Sequence, residues 1–148
     1  MTAHLYNRDI LRLATSLAGQ QRLVGADATS DKRSPTCGSR VIVDVALDDM
    51  GRIAEVGMEA HACALGQASA ALVAADACGR SAEDVGAARD ALRGFLAGEK
   101  AEADFWPGIE VFAAARDYPA RHPSILLAFE ALAEAAGAAL AARKGEAA

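Results

Sequence analysis

Val41, Val43, Val45 and Leu47 alternate with Arg40, Asp44 and Asp48 along one stretch of the chain. A period of two is the mark of a half-buried strand, because successive side chains leave a strand on opposite faces. The pattern predicts a strand from Arg40 to Asp48 with its valines inward and Asp44 toward solvent. Asp48-Asp49-Met50-Gly51 then supplies turn chemistry. From Ile53 to Ala60 the alternation resumes, with Ala54, Val56, Met58 and Ala60 opposite Glu55, Gly57 and Glu59. Two such runs joined by a short Gly-containing loop predict an antiparallel hairpin.

Before the hairpin the period is helical. Tyr6, Ile10, Leu13, Ala14 and Leu17 share one face, and the pattern stops near Gly19. Gln20 to Lys32 is weakly patterned and leaves room for a short strand. After Cys63 the helical period returns. Gln67 to Cys78 is a small-residue helix whose bulky members are Leu72 and Val73, ended by Gly79. Ser81, with Asp84 three residues on, reads as the cap of a helix burying Val85, Ala88, Leu92 and Phe95, which stops at Gly98. Pro107 opens a short helix with Ile109 and Phe112 inward. Ile125, Phe129, Leu132, Ala136 and Leu140 mark the last helix. With strands early and helices late, the expected class is α+β: a small antiparallel sheet, a hairpin and a third strand if the weak segment forms one, against about five helices. With no linker or internal repeat, residues 1–148 read as one domain.

Composition sharpens this in two ways. The hydrophobic share is 53% but rich in Ala, so the core rests on a modest set of larger residues and closely approaching helices. The net charge of −5 and the absence of a basic stripe argue against nucleic acid as a partner. The start of the chain shows no basic region followed by an apolar run, and the apolar window Ala62 to Ala77 is too short to span a bilayer. The expectation is a cytoplasmic protein with no membrane partner.

The candidate chemistry lies in the cysteines. In a reducing compartment, three unevenly spaced thiols are buried groups, metal ligands or reactive sulfurs rather than a disulfide framework. Cys37 precedes the first predicted strand and Cys63 follows the second, so a hairpin brings both to one end of the sheet. Cys63 also precedes a helix, where the backbone dipole favours an anionic sulfur. Cys78 lies about ten helical residues further on, roughly 15 Å at 1.5 Å per residue. That is too far to share one metal, and it reads as an ordinary buried or half-buried thiol. Thiolates suit zinc, iron and iron–sulfur clusters, but four donors are usual. His122 is a candidate further ligand, and His61, two residues before Cys63 on an extended run, a weaker one. Trp106 and Phe105 read as core or as a partner-facing patch. No Ser-His-Asp set and no phosphate-cradling glycine loop is present, so an enzyme is not expected.

Ser34-Pro35-Thr36-Cys37-Gly38-Ser39, the hairpin, and Ala62-Cys63-Ala64-Leu65-Gly66-Gln67-Ala68-Ser69 resemble the iron–sulfur cluster assembly scaffold family, that is IscU and the N-terminal domain of NifU. The closer likeness is to the SufU branch, through the run after the second cysteine and the helical length between Ser81 and Pro107. Gly79-Arg80-Ser81 is similar to the family's Gly-Lys-Ser/Thr, and Tyr118 to Ser124 to its segment before the last helix. The resemblance implies Cys37 and Cys63 as ligands of an iron–sulfur cluster, iron or zinc. It also implies a cysteine desulfurase as sulfur donor, recipient apo-proteins as partners, and Arg121 as a charge near the site. Two positions depart from the family pattern: Ser39 replaces an aspartate and Ser124 replaces a cysteine. A neutral hydroxyl is a weak donor to a soft metal. The alternative reading therefore keeps the fold without the cluster, as a protein-binding or regulatory module.

Overall fold

The computed structural model describes residues 5–35 and 38–147; Cys37, together with Thr36, the first four residues and the last, lies outside the described residues. Three strands form one antiparallel sheet in the order β1 (Ala28–Arg33), β2 (Arg40–Leu47), β3 (Ile53–His61). The expected hairpin is β2–β3, and the weakly patterned segment does contribute the third strand. Around the sheet are α1 (Arg8–Ser16), α2 (Ala64–Asp76), α3 (Ala82–Leu96), a 3-10 helix at Ile109–Asp117 and α4 (His122–Ala147). The class is α+β, as expected from the order of patterns. The short helix after Pro107 takes the tighter 3-10 form.

The valine face of β2 is covered by α4, which lies across β2 and β1, with α2 beside it and against β3. Val41, Val43 and Val45 are buried there with Met58, Ile125, Phe129 and Leu132. The segment Pro119–Gly145 is long and apolar enough to cross a membrane by length and composition, but most of its apolar window is buried as the central helix of this core. α1 packs on α2, and α3 on α4. Asn7 caps α1 by accepting from Ile10 N, and Ser81 and Asp84 form the predicted capping box of α3. Tyr6, expected on the buried face of α1, is exposed instead. Trp106 belongs to the core: its Nε1 donates to Leu72 O, its ring meets Phe129 edge-on at 5.0 Å, and the Arg80 guanidinium lies 3.8 Å from its centroid.

The second face of β2 differs from expectation. Asp44 is 1% exposed rather than solvated. The chain after α1 crosses the free edge of β3, where Gln21 O accepts from Met58 N, and folds over this face. Arg22 Nε and Nη2 donate to Asp44 at 2.7 and 3.0 Å, Leu23 N at 2.9 Å and Thr29 Oγ1 at 2.6 Å. Burial pushes the Asp44 carboxyl up, but these hydrogen bonds together outweigh it and hold the group below the usual carboxylate range. The strap needs Gly57, because a Cβ there would fall on Leu23 N and 2.9 Å from Gln21 O.

Candidate functional site

The site is at the end of the sheet where β2 begins and β3 ends. Residues 34–39 connect β1 to β2, and Arg33 and Arg40 at the two ends of this connection face each other. Arg40 is also opposite His61, two residues before Cys63. Ser34 N donates to Ser39 O and Gly38 N to Ser34 O, which closes the connection into a tight loop. Cys37 belongs to this loop by sequence, so the loop that carries it and the segment that carries Cys63 leave the same end of the sheet.

Cys63 is the N-cap of α2. It has extended backbone angles, and its carbonyl accepts from Gln67 N. Its half-buried Sγ lies 3.2 Å from Ser124 Oγ, in the first turn of α4. Two helices thus start at this sulfur. Their approach depends on small residues. A Cβ on Gly66 would lie 2.9 Å from Ser124 Oγ and 2.7 Å from Ala62 Cβ. Ser69 Oγ, fully buried, donates to Ile125 O at 2.6 Å and ties α2 to α4 one turn further along.

The histidines are placed elsewhere. His61 is exposed, and its Nε2 lies 2.6 Å from Glu59 Oε2. That hydrogen bond is the main reason the Glu59 carboxyl falls below its ordinary value. Strand geometry puts residues 59 and 61 on one face, and the strand ends before Cys63, so His61 and Cys63 do not share a face as expected. The ring of His122 donates from Nε2 to Ala115 O at 2.8 Å. Positions two apart on a helix project to different sides, so the turn that aims Ser124 at Cys63 aims His122 at the 3-10 helix. Arg121 is exposed. Cys78, expected buried or half-buried, is exposed, with Sγ donating to Ala54 O at 3.3 Å.

The donors described at this corner are one thiol and one neutral hydroxyl. Among the described residues no three of His, Cys, Asp and Glu gather as a metal site. These residues alone do not complete the four-donor shell that zinc or a cluster takes. Gly66 and Ser69, which set the approach of α4, are contributions that reading the sequence for ligands did not isolate. The signal for them was the run of small residues at the start of α2.

The arrangement defines a class: a small α+β domain with a half-buried thiol at the N-cap position of one helix and against the first turn of another, at the end of the sheet where β1 connects to β2. Residues 6–124 match the model of the NifU-like N terminal domain, and the chain belongs to that family. It is 35% identical to the N-terminal part of a nitrogen-fixing NifU-like protein from Brucella abortus, over 91% of this chain and 94% of that one, with a TM-score of 0.84. A proposed iron–sulfur cluster assembly scaffold protein for the SUF system, from the thermophile Fervidobacterium islandicum AW-1, shares the fold at 20% identity. Its TM-score is 0.81, over 89% of this chain and 96% of that one. A hypothetical protein does so at 24% identity and a TM-score of 0.78, over 90% and 98% of the two chains. No curated protein matches the chain.

Proposed function

We propose that this protein is a scaffold or carrier in iron–sulfur cluster assembly, with the nascent cluster or its iron as cargo on Cys37 and Cys63. Sulfur would arrive from a cysteine desulfurase and leave with the cluster to recipient apo-proteins. The protein carries and transfers rather than turning over a substrate, and works in the cytoplasm, where thiols stay reduced. Family membership supports the reading. The observation that carries it is the half-buried Cys63 sulfur at the start of α2, beside the loop to which Cys37 belongs. His122 is turned from the Cys63 sulfur toward the 3-10 helix, where its Nε2 donates to Ala115 O, so the reading rests on Cys37 and Cys63.

A second reading is favoured by the Cys63–Ser124 pair. Where the family pattern has a third thiol, this chain has a hydroxyl already engaged with the Cys63 sulfur. The protein would then be a binding or regulatory module on the scaffold fold. Purification without added metal, followed by zinc, iron and sulfide analysis, separates the two. The scaffold reading expects stoichiometric metal or cluster, before or after anaerobic reconstitution, that is lost in Cys37→Ser and in Cys63→Ser. No metal together with failed reconstitution overturns it and leaves the module.

A further inference from the structure

We propose that Ser124 is the positioning residue for sulfur carried on Cys63. Its hydroxyl donates to Sγ, or to a sulfur bonded to Sγ, and holds that sulfur at the mouth between α2 and α4. The inference rests on the carrier reading above and adds a residue to it. Ser124 is 2% exposed, and the contact of its Oγ is Cys63 Sγ at 3.2 Å. A buried hydroxyl without a partner is costly, so the pair is coupled: each polar atom satisfies the other. The coupling is not symmetrical in strength. A neutral thiol is a weak acceptor, whereas an anionic sulfur accepts a charge-assisted bond. The hydrogen bond therefore strengthens when the site holds a thiolate or a persulfide anion.

Two further features aim the hydroxyl at sulfur. Gly66 leaves no Cβ between the helices, and the buried bond from Ser69 to Ile125 O fixes the height of α4 against α2. The backbone of α2 begins at Cys63 itself, and that of α4 two residues before Ser124, so the positive ends of both helix dipoles flank the sulfur. In the loading step the Cys63 thiolate attacks the terminal sulfur of a donor persulfide, R–S–SH. The S–S bond of the donor breaks as the Sγ–S bond forms, and RS⁻ leaves. The proton stays on the transferred sulfur, giving Cys63–S–SH. One S–S bond replaces another, so no external oxidant or reductant is needed.

The test uses the full chain, free of metal and desulfurase, with a low-molecular-weight persulfide as donor, in a Cys78→Ser background. Peptide mass spectrometry follows the sulfur on Cys63 during loading and during release to a thiol reductant. Ser124→Ala is expected to retain the persulfide about fivefold less well, the worth of one net hydrogen bond. Ser124→Thr, which keeps the hydroxyl, is expected to restore retention; thermal melts check that both variants are folded. If Ser124→Ala does not fold, the comparison passes to Ser124→Val, which has the shape of the threonine variant without its hydroxyl and is expected to show the same loss. Equal retention with and without the hydroxyl overturns the proposal, as does loss that the threonine fails to repair. A parent protein that takes no sulfur on Cys63 also overturns it. Because no metal enters, these results are independent of the metal analysis that tests the scaffold reading.

Discussion

Replacing Asp44 with alanine should release the segment that crosses β3 and folds over the second face of the sheet. The carboxylate is 1% exposed and accepts from Arg22 twice, from Leu23 N and from Thr29. Breaking a buried ion pair by removing one partner costs about 3–5 kcal/mol. Here the low end applies. The Arg22 side chain is 42% exposed and can turn to water, as can Thr29. A loss of about 3 kcal/mol lowers the melting temperature of a domain of this size by about 6–12 °C. Asp44→Asn, which keeps the shape but not the charge, should fall between the two. The pH dependence has a definite sign. The folded carboxyl is held below its ordinary value, so its contribution is present above the unfolded value near 4 and is lost as pH falls through the folded value. Urea unfolding of the parent and of Asp44→Ala, repeated from neutral to acid pH, should show a gap that narrows once the pH drops below about 4. A gap smaller than about 1 kcal/mol at neutral pH, the worth of one ordinary hydrogen bond, would refute the argument. So would a gap that stays constant through the acid range.

Gly57→Ala should act on the same strap from the other side, since the added methyl meets backbone atoms of Gln21 and Leu23 that cannot swing away. The expected cost is about 1–3 kcal/mol by denaturant unfolding, with faster hydrogen exchange at Met58 N, and an unchanged exchange rate would count against it. Ser30→Ala should be neutral or stabilising by up to about 1 kcal/mol, because Ser30 Oγ is buried with no hydrogen-bond partner among the described residues. A clear loss of stability on calorimetry would show that the hydroxyl has a partner in solution.

Much of the architecture was legible in the sequence because local periodicity reports it. The alternation from Val41 to Leu47 and from Ile53 to Ala60 announces β2 and β3, and Ser81 with Asp84 announces the start of α3. Asp44 was misread for a physical reason. Strict alternation assumes one wet face, whereas Val41-Ile42-Val43 places three apolar residues in succession and belongs to a strand covered on both sides. What covers the second face comes from residues some twenty positions away, and no local pattern carries that. The same limit applies to β1, whose polar residues suggest only an irregular or edge segment, with a short strand as one option, until they pair with β2.

The sequence by itself determined that Cys63 stands at a change from strand to helix, and that Ser124 opens the last helix where the family pattern has a cysteine. Those are local facts, set by period and by motif. Only the tertiary structure decided that Ser124 touches the sulfur, that His122 turns to Ala115, and that His61 pairs with Glu59. These choices depend on how closely and at what height α4 docks on α2. That docking is governed by Gly66, by the buried Ser69 hydroxyl and by packing over the valine face, all of which act between residues distant in sequence.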